Sequence, residues 1–466
     1  MIRSAAGRLL VVLLAMLAGA GCRRAEGVAQ DPIDREAEAA FVQYLRLDTT
    51  NPPGNETRGA KFLQQLFAKE GIAVRLVGSD PNRQAVCARL ESPAVGGALL
   101  LLSHIDVVPS DPAAWTKPPF SGDRSGGYIW GRGALDVKSL TIAHALSLIE
   151  LKRKGTALGR DIVFLAVPDE ELGGLRGTKA LLESNPELFE GVEFVLNEGG
   201  TAETVVDKVV FWGIEVDQKI PLWLRVSASG IGGHGASPSE GGGAPAKLVR
   251  ALAGIDRIET PYRLVPTVRD SLEAMRRVRR DPGASRLRAI TEPLDPSRVD
   301  AELTPGYRSL LRDTIAITRI SAGTSVNVIP QGATADIDIR LLPGTDPASM
   351  LNTVRQAAGE GAEIDVLLIG APAPPSPSDT ELFSVLERSM KAAEPGSTVA
   401  PLVGSGTTDS RFFRARGITA YGVAPFKVNY YDADGVHGSD ERIRSRFFSQ
   451  GVRLMKTIVR DFCAAK

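Results

Sequence analysis

The stretch Asp161-Ile-Val-Phe-Leu-Ala-Val-Pro-Asp-Glu-Glu-Leu-Gly-Gly174 decides how the rest of the chain is read. Its first half is a short, unbroken apolar run rich in β-branched residues, the signature of a buried strand. The run stops at three acids, Asp169, Glu170 and Glu171, followed by two glycines. In open α/β sheets, ligands bind just beyond the carboxyl ends of the strands. Like charges held close together there raise one another's pKa or require a cation. A general base beside a metal ligand meets that requirement. A solvated acidic turn, drawn to a helix N-terminus, is the other reading of the same residues.

The pattern repeats on either side. Ala98-Leu-Leu-Leu-Leu-Ser103 reads as a buried strand that delivers His104-Ile-Asp106 at its end, and a strand at 193–196 delivers Asn197-Glu198-Gly-Gly200. Helices predicted at 34–47, 56–69, 135–153 and 178–184 alternate with these and with strands at 72–77 and 85–90, which predicts a doubly wound α/β sheet. The pattern changes near Lys219. A strand at 221–229 with alternating faces, a glycine-rich loop at 230–238, helices at 245–255 and 347–357, and strands at 314–320, 333–341 and 363–368 predict a smaller α+β domain. Residues 257–313 are charged and proline-punctuated, and read as irregular helices and an insertion. Ala371-Pro-Ala-Pro-Pro-Ser-Pro377 marks a hinge, and α/β character resumes at Glu381. The expected organisation is a mixed-sheet catalytic domain in two parts, 31–218 and 378–466, with a lid domain, 219–372, inserted between them.

Composition narrows the function. A chain of 466 residues is too long for one ordinary core. Its formal net charge of zero argues against an electrostatic grip on nucleic acid or on an anionic membrane. Residues 1–22 carry Arg3 and Arg8, then Leu9-Leu-Val-Val-Leu-Leu-Ala-Met-Leu17, then small residues up to Cys22. That is a secretory leader, its apolar core shorter than the roughly 20 residues that span a bilayer. Leu17-Ala-Gly-Ala-Gly21 before Cys22 resembles a lipobox, although Gly19 departs from it, so an exported chain with a lipid anchor at Cys22 is expected. Cys87 lies in an apolar run and reads as a buried free thiol rather than as a partner of Cys463.

The chain has only four histidines, so their positions are informative. His104 ends a strand, and Asp106 can hold its second ring nitrogen, as metal-bound histidines require. Asp136 follows the tight turn Gly131-Arg-Gly-Ala-Leu-Asp136, Glu171 and Glu198 follow two further strands, and His437 lies in the loop Asp434-Gly-Val-His-Gly-Ser-Asp440. Five nitrogen and oxygen ligands of this mix suit zinc, and two zincs sharing one carboxylate need about this many.

Ser103-His-Ile-Asp-Val-Val-Pro109, Gly131-Arg-Gly-Ala-Leu-Asp-Val-Lys138, Pro168-Asp-Glu-Glu-Leu-Gly-Gly174, Asn197-Glu-Gly-Gly200, Gly233-His-Gly-Ala-Ser-Pro238 and His437-Gly-Ser-Asp-Glu-Arg442 together resemble the M20 metallopeptidases, in family order. Trp115-Thr-Lys-Pro-Pro-Phe-Ser-Gly122 makes the chain most similar to the carboxypeptidase S and N-acyl-amino-acid hydrolase branch. The resemblance implies two Zn(2+) per chain, one on His104, Glu198 and Asp136, the other on Glu171, His437 and the shared Asp136. It implies Glu170 as the general base that takes a proton from the attacking water and returns it to the leaving amine. It implies His234 against the developing oxyanion, often from a neighbouring subunit, and hence a homodimer through the lid.

The expected substrate is a small peptide cleaved near its free carboxylate, with an N-acyl amino acid as the alternative and a non-catalytic binding lipoprotein as a third reading. Arg340, at a strand end, presents a planar fork suited to a carboxylate, and the family resemblance adds Asn327 and the loop holding Gly404 and Thr407. Three of these residues also have a plainer reading. Asp106 could cap a turn, His234 could be a surface loop residue, and Arg340 could form a surface salt bridge. His144 lies outside every motif and is expected to pack or cap.

Overall fold

Strands Ile162–Val167, Ala98–His104 and Val192–Asn197 lie side by side and parallel at the centre of a nine-stranded sheet. The computed structural model describes residues 32–94, 96–278 and 294–465; the leader expected at 1–22, with Cys22, lies outside the described residues. The sheet runs Val74–Val77, Ala85–Leu90, Ile162–Val167, Ala98–His104, Val192–Asn197, Thr419–Gly422, Lys208–Gln218 and Thr398–Gly404, with Thr201–Val205 hydrogen-bonded to Lys208–Gln218. His104 is in register with Val167, so the carboxyl tips of the two strands coincide.

Alternation along these strands feeds two separate cores. Leu99, Leu101, Ile162, Phe164 and Ala166 pack on one side with Phe41, Leu140 and Ile458, from helices Pro32–Leu45, Lys138–Arg153 and Ser445–Cys463. Leu100, Leu102, Val163, Leu165 and Val167 pack on the other with Leu181 and Phe413. A strand apolar on both faces must be covered on both, which is why these runs read as continuous hydrophobics. Truncating one such leucine to alanine costs roughly 2–5 kcal/mol. The sheet is mixed and doubly wound, as expected.

A second, antiparallel sheet has the order Thr314–Ala322, Gly332–Leu341, Ile220–Ser229, Glu363–Ile369. Leu222, Leu224, Val226, Ile337, Ile339 and Leu341 face helices Gly243–Ile255 and Pro347–Ala358. The alternate positions, among them Trp223, Asp338 and Arg340, face the other way. This sheet is built from chain that leaves the main sheet after Lys208–Gln218 and returns at Thr398–Gly404, two strands that pair in parallel.

Three local features add to the expectations or shift their bounds. Strands Thr201–Val205 and Lys208–Gln218 form an unforeseen hairpin within the main sheet. Its turn residues, Val206 at φ 48° and Asp207 at φ 64°, are left-handed without the Asn-Gly or Gly that signals such a turn. The long helix begins at Lys138, because the residues before it are held in a turn. The 257–313 segment contributes helices Pro266–Val278, Pro296–Glu302 and Pro305–Ser309. Val268, Leu272, Met275 and Val299 of these helices pack on Phe211, Ala400, Leu402 and Val403 of the main sheet, so part of the inserted chain docks outside the lid core. Cys87 and Cys463 are both buried free thiols.

Candidate metal centre

Three parallel strand tips deliver the first donors. His104 ends its strand, Glu170 and Glu171 sit in the 3-10 turn Glu170–Leu172 just past Val167, and Glu198 follows Asn197 directly. Asp169, the residue before the acids, holds φ 73°, a left-handed conformation that turns the chain sharply at the tip. His437, at φ 57°, is likewise left-handed and stands between helix Tyr430–Ala433 and strand Arg442–Arg444.

Asp136 lies at the middle. Its Oδ1 is 3.0 Å from His104 Nε2 and its Oδ2 is 3.1 Å from His437 Nε2. His104 Nε2 also lies 3.5 Å from Glu198, and His437 Nε2 lies 3.1 Å from Glu171. Two overlapping donor groups result, His104 with Asp136 and Glu171, and His104 with Glu170 and Glu198, each within 4.8 Å. Among the described residues, Glu170 pairs with neither imidazole.

The electrostatics of this cluster are those of a cation site. Burial, then the charge of Glu198, pushes Glu170 well above the ordinary carboxylate range. Burial, then Asp136, lifts Glu171 to about 7, and burial lifts Glu198 to about 7. Burial alone would depress His104, yet Glu198 and the bonds to Asp106 and Asp136 hold it well above its usual value. Bonds to Asp136 and Glu171 push His437 up to about 10. Glu171 Oε1 is buried with no hydrogen-bond partner among the described residues. Crowded acids, an orphaned carboxylate oxygen and two imidazoles presenting Nε2 fit a pair of divalent cations.

Asp106 is fully buried and supports three neighbours at once. Its carbonyl is 2.8 Å from His104 Nδ1, which leaves Nε2 turned toward Asp136 and Glu198. Its carboxylate accepts from the backbone N–H of Glu170 at 3.2 Å and of Glu171 at 3.1 Å. Glu441 does the same for Asp136. It accepts from the N–H groups of Gly133, Leu135 and Asp136 at 2.9, 2.7 and 3.1 Å, while Arg132 donates to it at 2.7 Å.

The centre opens on a cavity of about 1040 Å³ whose far wall belongs to the second sheet. Arg340, Asp338, Gly404 and Thr407 line it with Asp136, Glu170, Glu171, Glu198 and His437. Arg340 donates to Thr407 Oγ1 at 2.8 Å, and Asp338 takes two bonds from the same guanidinium at 2.7 and 2.9 Å. His234 and Asn327 are placed elsewhere. His234 lies on the strand pair Gly233–His234 with Val328–Ile329, Asn327 directly precedes the second of these strands, and neither residue lines the cavity. His144 is buried, and neither ring nitrogen has a partner among the described residues.

Asp409, the last residue of the loop that begins at Gly404, has a buried carboxylate that accepts from Thr178 at 2.6 Å and is raised by burial to about 6. Sequence reasoning missed Arg411, which donates to Gly173 O at 2.6 Å and Thr408 O at 2.9 Å, tying the acidic turn to the Gly404 loop. The string Asp409-Ser-Arg411 beside Gly404-Ser-Gly-Thr-Thr408 was the available signal.

The family model for peptidase family M20/M25/M40 matches residues 100–461. The N-fatty-acyl-amino acid synthase/hydrolase PM20D1 of Xenopus tropicalis is 32% identical over 359 residues, 74% of this chain and 68% of that protein. Aminoacylase-1 of Sus scrofa is 28% identical over 428 residues, 89% and 92% of the two chains. The M20 family metallo-carboxypeptidase Sso-CP2 of Sulfolobus solfataricus shares the fold, with a TM-score of 0.70 at 20% identity over 91% of this chain and 98% of that one.

Proposed function

The chain belongs to the M20/M25/M40 peptidase family, and on that footing we propose that it hydrolyses the amide bond of an N-acyl amino acid whose carboxyl side is free. It is a metallo-hydrolase of that family. The observation that carries the reading is Asp136, with one oxygen on each imidazole, on the floor of a cavity whose opposite wall presents Arg340 and Thr407. The first supports amide hydrolysis and the second supports capture of a carboxylate. Tyr307, Met275, Leu310 and Leu402 along the same cavity support an acyl group on the other side of the scissile bond. Small peptides are the second reading, favoured by the fold shared with the carboxypeptidase.

His104, Glu198 and Asp136 would hold one cation, and Glu171, His437 and Asp136 the other, with zinc proposed for both. What the cations supply when bound is Lewis acidity toward the scissile carbonyl and a lowered pKa for the attacking water. Glu170 accepts the water's proton at its carboxylate and returns it to the leaving nitrogen. Its buried setting raises its affinity for that proton, which suits the first half of the transfer. Arg340 and Thr407 orient the substrate carboxylate, and Asp106 keeps the turn bearing Glu170 in place. Export is proposed from the leader at 1–22, and the mass of the mature N-terminus tests it.

The test of function is a substrate panel on the zinc-loaded chain lacking the leader. N-acyl amino acids should be cleaved, and amidation of their carboxylate should abolish turnover. Equal turnover of the amidated compounds would remove the carboxylate anchor from the reading. Cleavage of dipeptides alone would select the second reading.

A further inference from the structure

We propose that Arg83, acting through Asn51, is a positioning residue for Asp106, and through it for His104, Glu170 and Glu171. The inference rests on the reading of the metal centre above. Neither Arg83 nor Asn51 lines the cavity, and both are almost wholly buried beneath it.

The contacts form a continuous path. Asn51 donates from Nδ2 to Asp106 Oδ2 at 3.0 Å, and its Oδ1 accepts from Arg83 Nη2 at 3.0 Å. The same Nη2 donates to Pro53 O at 2.6 Å, and Nη1 donates to Asp169 Oδ1 at 3.0 Å. Asp169 is the left-handed residue directly before Glu170. One guanidinium therefore holds the acidic turn from two sides, directly at Asp169 and through Asn51 at Asp106.

The path also sets a direction. With the guanidinium against its oxygen, the Asn51 amide has one stable orientation, its NH₂ toward Asp106. The flipped amide would set NH₂ against guanidinium and oxygen against carboxylate, losing both bonds. Asp106 thereby remains an acceptor for the Glu170 and Glu171 N–H groups. The backbone reinforces the registry: Asn51 N donates to Val107 O at 3.0 Å, Val107 N to Thr49 O at 3.2 Å, and Thr49 Oγ1 to Ile105 O at 2.7 Å. Gly54 is left-handed at φ 97°, and a Cβ there would meet the guanidinium at 2.6 Å, so the loop is closed tightly over Arg83. A lysine ammonium has no planar fork with which to serve Asp169 and Asn51 together.

The test uses two readouts, zinc affinity of the metal-stripped protein by chelator competition, and kcat and KM on one fixed amide substrate. Outer partners of metal ligands are worth about 10–100-fold in affinity or activity. Asn51→Ala and Arg83→Met should each weaken zinc binding and lower kcat by about that factor, with KM changed far less. The double variant should be no worse than Arg83→Met alone, because the two residues act in series. Arg83→Lys should not rescue. Unchanged zinc affinity and kcat in Asn51→Ala would overturn the proposal, as would losses that multiply in the double variant. If Arg83→Met fails to fold by circular dichroism, Asn51→Ala, which loses one side-chain bond, and Arg83→Lys decide the matter. If the wild-type chain binds zinc but cleaves nothing on the panel, the functional reading fails while the zinc measurements still judge the brace.

Discussion

His437 Nε2 and Asp136 Oδ2 stand 3.1 Å apart, joining the loop at 434–440 to the turn before the buried helix Lys138–Arg153. The other oxygen of Asp136 faces His104, so one carboxylate is shared by imidazoles from two separate stretches. That sharing separates the roles of the two adjacent glutamates.

Glu170→Gln should lower kcat by at least about 10²–10⁴-fold while leaving zinc content at the wild-type level. Glu171→Ala and His437→Ala should instead lose zinc from one of the two positions. Metal analysis beside steady-state kinetics checks both. Loss of metal and turnover together in Glu170→Gln would mean that base and ligand are exchanged.

Glu441 has no place in the chemistry but holds Asp136 by its backbone and pairs with buried Arg132. Removing one partner of a buried pair costs roughly 3–5 kcal/mol. Glu441→Ala should therefore lower the unfolding free energy by that order and weaken zinc binding as well. Denaturant melts and chelator competition measure the two effects.

Arg340→Lys should raise KM for a free-carboxylate substrate by at least about tenfold, with a smaller change in kcat, because an ammonium cannot reproduce the fork held by Asp338 and Thr407. An unchanged KM would assign Arg340 to a structural pair with Asp338.

His234 is exposed and absent from the cavity of its own chain, so a role in the reaction requires a second copy to supply it. Mixing two separately inactive variants, His234→Ala and Glu170→Gln, should restore measurable turnover through heterodimers. A mixture no more active than its components, at concentrations where light scattering reports dimers, would count against the histidine crossing between subunits.

His144 bears on acid stability. Burial depresses its pKa from 6.5 to about 3, and no partner among the described residues compensates. Below pH 6.5 the unfolded ring takes up a proton that the folded ring refuses, so stability falls as pH drops from 6.5 toward 3. Over that window the loss from this residue is on the order of 4 kcal/mol. His144→Leu should flatten that limb of the stability–pH curve relative to wild type in urea melts at pH 4 to 8, and should be at least as stable at pH 8. A parallel pair of curves would contradict it.

Much of the centre was legible in one dimension. A parallel strand buried on both faces appears as an unbroken apolar run, and an acid or histidine at its end breaks that run visibly, which exposed His104, Glu170, Glu171 and Glu198. Asp136 and His437 sit in turns with no such contrast, and only their motifs pointed to them. The hairpin at 201–218 was hidden because its turn is made by Val206 and Asp207. The docking of the inserted helices on the main sheet was hidden because an amphipathic face does not say which surface it covers.

The sequence alone determined that three strands end in metal-capable side chains, that the fold is doubly wound, and that a second sheet interrupts it, since burial and periodicity are local properties of the chain. Only the tertiary structure decided that Asp136 lies between the two imidazoles, that Glu441, Asn51 and Arg83 hold the donors from beneath, and that His234 and Asn327 stand apart from them. Those outcomes depend on which distant segments come into hydrogen-bonding range, and a bond 2.7–3.0 Å long between residues far apart in the chain leaves no periodicity to read.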